Sequence, residues 1–228
     1  MKNKIVLNNT NDYVNNENTK IWRDLSNERT GVYQGVIQIL KKINFFNDAD
    51  TIIDIGCGPG HFLKLIRKNY KDINLVGLDI SSVMINQAKL LKIPNCKFNI
   101  KDITSNDFHE KEVSRIICYT SLYLWNDKKK GLQNLLKLIN KNGLAFFVHP
   151  NKDYNFNELE KKMFPESQLN VLNYAISNGF TDFTLSQLYK SIGIENYKIS
   201  YSGKFQEDLA KRERFRNIAP FFYSLIKK

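Results

Sequence analysis

The sequence predicts an α/β fold, one domain built on a parallel sheet. Three observations carry this. Short apolar runs alternate with stretches of helical spacing along most of the chain. One run, Thr51-Ile52-Ile53-Asp54-Ile55, empties into a glycine-rich turn, Gly56-Cys57-Gly58-Pro59-Gly60, and helical spacing starts at His61. The length, 228 residues, suits a single domain with a full core.

Taken in order, residues 1–18 are polar and Asn-rich, and a flexible N-terminus is expected there. Residues 19–228 form the domain. Between 19 and 46, Ile21, Trp22, Leu25, Val32, Tyr33, Val36, Ile37, Leu40 and Ile43 recur at helical spacing, with a break near Gly31. The part from Arg29 to Ile43 should pack on the sheet.

The first strand and its turn choose between ligands. A dinucleotide fingerprint, Gly-x-Gly-x-x-Gly, would need glycine where His61 stands. The glycines fall instead at 56, 58 and 60, and Asp54 stands two residues before the first. A pyrophosphate wants bare N–H groups; a carboxylate at the strand end suits a ligand with a cationic group. Asp54-Ile55-Gly56-Cys57-Gly58-Pro59-Gly60 resembles motif I of the class I S-adenosylmethionine-dependent methyltransferases at every fixed position. The resemblance implies that this turn wraps the amino-acid end of the cofactor and that Asp54 helps hold its ammonium group.

The second run, Ile73 to Asp79, ends in an acid about 20 residues on, the interval of a ribose-binding carboxylate. One carboxylate can accept from both ribose hydroxyls. Ser81-Ser82 offer an N-cap for a helix carrying Val83, Met84, Ile85 and Ala88, and Pro94 stops it. Cys96 to Ile100 alternates as a third strand. The Asp102-Ile103 pair after it matches the family's adenine-binding acid and the residue that packs on the ring. With Gly56, Cys57, Gly58, Gly60, Ile80, Met84 and Tyr119, these residues form the cofactor set the resemblance implies.

Arg115 to Tyr119 is the fourth run. The loop after it, Thr120 to Asp127, flanks the transferring methyl in the family. Many small-molecule members carry a His near the place of Tyr123, and this chain does not. A lysine-rich helix follows Asp127, with Gly143 expected as its left-handed cap. Leu144 to His149 is the fifth run. His149, at its end, is the first candidate for a general base, and Tyr123 is the second. Trp22, Tyr33 and Trp125 are the candidate substrate contacts.

Residues 151–183 interrupt the strand–helix rhythm. Two helices are expected there, as an insertion that caps the substrate. Thr184 should cap a further helix that ends at Gly193. Tyr197 to Tyr201 and Phe221 to Ile226 read as the last two strands. A closing strand without a helix fits the antiparallel seventh strand of the resembled fold. The full expectation is a doubly wound, seven-stranded, mostly parallel sheet with an antiparallel seventh strand, a helical N-terminal lid around Trp22, and the helical insertion after the fifth strand.

Composition narrows the function classes. No apolar run reaches the roughly 18 residues of a membrane span, and the Lys- and Asn-rich start predicts a cytoplasmic protein. Three cysteines and three scattered histidines give neither a disulfide framework nor a metal site. The net charge is +11. It would serve a nucleic-acid surface, but Lys is spread over nearly every helix and the chain has no Arg-rich arm, so compositional drift is favoured. The densest cluster, Lys211 to Arg216, reads as a solvated helix face. The Asn-Pro-Pro-Tyr or Asp-Pro-Pro-Tyr signature of nucleobase amino-methylation is missing after the fourth strand. The reading is a methyltransferase acting on an O or N atom of a small molecule, as a monomer or homodimer. The alternatives are an RNA- or protein-directed enzyme, or a protein that binds S-adenosylmethionine without methyl transfer.

Overall fold

The computed structural model describes residues 24, 30–202 and 219–228. Trp22, the lid around it and the Lys211–Arg216 cluster lie outside the described residues.

The sheet has seven strands: β1 (Thr51–Ile55), β2 (Asn74–Asp79), β3 (Cys96–Ile100), β4 (Val113–Tyr119), β5 (Ile139–Pro150), β6 (Tyr197–Ser200) and β7 (Phe221–Lys227). Their spatial order is β3-β2-β1-β4-β5-β7-β6. β7 runs antiparallel to both β5 and β6, and the strands from β3 to β5 pair in parallel. The order reverses between β1 and β4, so their C-terminal ends open a crevice of the kind in which α/β sheets bind ligands.

Two helical layers cover the sheet. α1 (Thr30–Lys42), α2 (His61–Asn69) and α3 (Ser82–Leu90) share one core with Ile52, Leu75, Ile117 and Phe146. α4 (Lys128–Leu138) and α7 (Asp182–Lys190) share the other with Ile53, Ile55, Ile116, Ala145 and Phe147. Adjacent residues such as Ile52 and Ile53 fall into opposite cores because side chains alternate along a strand. α5 (Glu158–Lys162) and α6 (Glu166–Ser177) lie in the insertion after β5.

Local chemistry sets several boundaries. Ser81 caps α3, its Oγ accepting from Met84 N at 3.3 Å. The expected cap at Thr184 is corrected to Thr181: the two form a reciprocal capping box, and α7 starts three residues earlier than read. Gly143 is not the left-handed residue after α4. Asn142 takes that role with φ 65°, and β5 begins at Ile139 directly after the helix. Lys228 fixes this corner, accepting from Asn142 N and donating from its own N–H to Gly143 O.

The insertion expected to cap the substrate packs as follows. Phe180 bridges to Asn151, its N–H donating to Pro150 O at 3.1 Å. Ala175 and Phe180 are buried in the core beneath α7. The segment therefore extends one helical layer, and none of its residues lines the cavity.

Candidate active site

The cavity opens at the C-terminal ends of β1, β2, β3 and β4. Its wall holds Asp54, Gly56, Cys57 and Gly58 from β1 and the turn, and Asp79, Ile80 and Met84 from β2 and α3. Asp102 and Ile103 follow β3; Tyr119, Thr120, Ser121 and Trp125 come from β4 and its loop; Tyr33 comes from α1.

The turn needs its glycines for two reasons. Gly56 and Gly58 have φ of 73° and 53°, a left-handed conformation that costs other residues. A Cβ at Gly56 would also meet Ser121 Oγ at 2.0 Å, whereas one at Gly58 would point into open space. Gly58 thus leaves its backbone open to the cavity. Gly60, expected as a cofactor contact, does not line the cavity. It starts α2 at φ 79°, and a Cβ there would strike Phe98 at 2.9 Å. Its role is close packing of α2 over β3.

Three carboxylates bracket the cavity in different states. Asp54 is almost wholly buried, and its Oδ1 has no hydrogen-bond partner among the described residues. Burial, with the Asp79 charge nearby, pushes its pKa up to about 8. Asp79 accepts from Gly58 N at 2.8 Å and from Ser81 N at 2.9 Å. Its pKa is raised by burial and pulled back by those two N–H groups. It therefore ties the glycine turn to β2 while its remaining lone pairs stay available. Asp102 Oδ1 accepts from both the N–H and the hydroxyl of Thr104, at 2.8 and 2.7 Å. Ile80, half-exposed, and buried Ile103 give the same end of the cavity apolar surface.

Aromatic side chains line the cavity from both cores: Tyr33, Phe62 and Tyr119 belong to the core of α1–α3, and Trp125, with Ile103, to the other. Tyr33, Phe62 and Tyr119 form a triangle with centroids 5.1–5.4 Å apart, Tyr33 meeting Tyr119 edge-on. Trp125 donates Nε1–H to Ser121 Oγ at 3.0 Å. Lys101, beside Asp102, is the one cationic side chain among the described lining residues.

Both candidate bases are placed elsewhere. His149 is 1% exposed and does not line the cavity. Its ring stacks on Phe147, with Phe222 and Phe180 around it, and Nε2 shares a hydrogen bond with Ser224 Oγ at 2.8 Å. Burial lowers its pKa to about 3, so it is neutral at physiological pH. β5 continues past His149 to Pro150, and strand alternation turns the ring into the core under α7. Tyr123 is buried in the same core. The chain's three histidines are all described, and none lines the cavity.

Sequence reasoning missed Phe62, Thr120 and Ser121. Phe62 was readable as the apolar residue at the first turn after the glycines. Thr120, at φ 49°, left no signal, since a β-branched residue in that region is uncommon.

A buried unpartnered carboxylate, a second tied to the glycine turn, and an apolar slot beside a third fit a ligand with an ammonium group, a ribose and a planar base. S-adenosylmethionine carries all three. Fold and site together define a class I methyltransferase.

Comparison with known proteins agrees. A family model described as a methyltransferase domain matches residues 46–203. A tRNA (guanine-N(7)-)-methyltransferase of Clostridium botulinum (strain 657 / Type Ba4) is 30% identical over 182 residues, covering 73% of this chain and 79% of that protein. A carboxy-S-adenosyl-L-methionine synthase of Nautilia profundicola is 27% identical over 197 residues, 82% and 77% of the two chains. The plantazolicin methyltransferase BamL, solved with a triazolic desmethylPZN analog and SAH, shares the fold at a TM-score of 0.74 and 17% identity, covering 95% of this chain and 92% of that one. The chain belongs to the methyltransferase domain family, and it is an S-adenosylmethionine-dependent methyltransferase. No helix among the described residues is long and apolar enough to cross a membrane.

Proposed function

We propose that the enzyme methylates an O or N atom of a small-molecule acceptor. The observation behind this is the aromatic lining of the cavity: Tyr33, Phe62 and Tyr119 pack together on one side, Trp125 lines it from the core of Ile103, and Lys101, next to Asp102, is the one described lining cation. Such a wall suits a compact apolar acceptor better than a polyanion, whose phosphates want a basic track.

In this reading Asp54 holds the cofactor ammonium, Asp79 the ribose hydroxyls, and Asp102 with Ile80 and Ile103 the adenine. Bound S-adenosylmethionine supplies a methyl carbon already activated by its sulfonium. The chain's work is alignment and exclusion of water. The aromatic faces of Tyr33 and Tyr119 stabilise positive charge beside them and leave little room for solvent.

A second reading has its own support. The 30%-identical relative is named as a tRNA enzyme, and the net charge is +11. One experiment separates the two. Protein and methyl-labelled S-adenosylmethionine are incubated with a size-filtered metabolite extract and, separately, with total tRNA. Label in the small-molecule fraction is expected. Label confined to tRNA overturns the proposal.

A further inference from the structure

Ser121 stands where the cofactor turn meets the loop after β4. Its hydroxyl occupies the space a side chain at Gly56 would need, 2.0 Å from that ideal Cβ. The same Oγ accepts the indole N–H of Trp125 at 3.0 Å. Trp125 is clamped from its other side, because a Cβ at Gly131 would lie 2.4 Å from its Cε3. The residue before Ser121, Thr120, is held at φ 49°, with its N–H on Val148 O at 2.9 Å. A β-branched residue pays for that conformation, and such strain persists where surrounding contacts over-determine it.

We propose that Ser121 is a positioning residue that couples the glycine turn to Trp125, setting the indole wall of the cavity in register with that turn. The Ser121 hydroxyl fills the space where a side chain at Gly56 would lie, so a movement of the turn toward the loop displaces it. That hydroxyl is the acceptor for the indole N–H. A shift of the turn on cofactor binding therefore reaches Trp125 through one oxygen atom. Small residues at 56 and 131 make the two close approaches, and the Ser121–Trp125 hydrogen bond joins them. The inference concerns coupling within the site and does not depend on which acceptor is used.

The test needs no acceptor. The chain has two tryptophans, so a Trp22→Phe background leaves Trp125 as the one indole reporter. SAH is titrated into this protein and into its Ser121→Ala derivative, with Trp125 fluorescence and calorimetric affinity read together. The expected result is a clear fluorescence change in the parent. In Ser121→Ala that change, read at saturating SAH, falls at least twofold, and the calorimetric affinity fixes the SAH concentration that saturates each protein. Ser121→Cys, whose sulfur is a weaker acceptor, should fall between the two and serves if the alanine variant does not fold. An unchanged response in the folded variants, or none in the parent, overturns the coupling.

Discussion

Asp54→Asn separates what the buried carboxyl costs the fold from what it does for the ligand. Asp54 is almost wholly buried, with its pKa raised from 3.8 to about 8. The groups facing it are Asp79 on β2, Cys57 in the turn, Cys118 on β4 and Cys96 on β3. A raised folded-state pKa means that this group's contribution to stability is complete below pH 3.8 and is lost as pH rises through 8. At about 1.36 kcal/mol per pKa unit, the 4.2-unit difference (8 − 3.8) sets a ceiling of about 6 kcal/mol. Asparagine keeps the shape and cannot ionise. Urea melts of the ligand-free protein from pH 5 to 9 should show a steeper decline for the wild type than for Asp54→Asn. The two curves should diverge by several kcal/mol before levelling off above pH 8. In the same variant, SAH affinity should drop at least tenfold, because the ammonium group loses its carboxylate. Calorimetry in buffers of different ionisation enthalpy should show wild-type binding releasing a proton near pH 7. Parallel stability curves for the two proteins would refute this account of Asp54.

Three further outcomes follow from the same geometry. Asp79→Ala removes the acceptor for the Gly58 and Ser81 N–H groups; SAH affinity by calorimetry should fall at least tenfold, and an unchanged value removes the ribose assignment. Gly56→Ala combines φ 73° with a clash on Ser121; it should lose roughly 1–2 kcal/mol from the backbone alone, seen as a lower urea midpoint, together with weaker SAH binding. For His149→Gln, once an acceptor is known, the pH–rate profile should keep its acid limb, because the ring sits in the core; loss of that limb would restore His149 as a base.

The parts of the fold set by apolar periodicity were legible in the sequence. β3 matched residue for residue, and the glycine turn, Asp79 and Asp102 all meet at one cavity. What was not legible was which way a strand-end residue points. His149 lies at the end of an apolar run, and its direction depends on the strand continuing to Pro150 and on Phe180 arriving from 30 residues away. The insertion posed the same difficulty: its apolar residues are equally compatible with a lid and with a helical layer, and the Asn151–Phe180 bridge that ties its end to the sheet has no sequence signal. Gly60 shows a packing demand that the motif alone does not reveal, the close approach of α2 to Phe98. Ser121 and Gly131 carry no sequence signal, since Ser121 acts through where its hydroxyl falls beside Gly56 and Trp125, and Gly131 through the side chain it lacks beside Trp125.

The central claim is a three-carboxylate grip on S-adenosylmethionine beside an aromatic acceptor wall. A crystal structure of the full chain with SAH tests it most directly. The account predicts the SAH ammonium at Asp54, the ribose hydroxyls on Asp79, the adenine between Ile80 and Ile103 with its amino group toward Asp102, and the sulfur facing Tyr33 and Tyr119. SAH bound with its ribose away from Asp79, or its sulfur away from the aromatic wall, would contradict it.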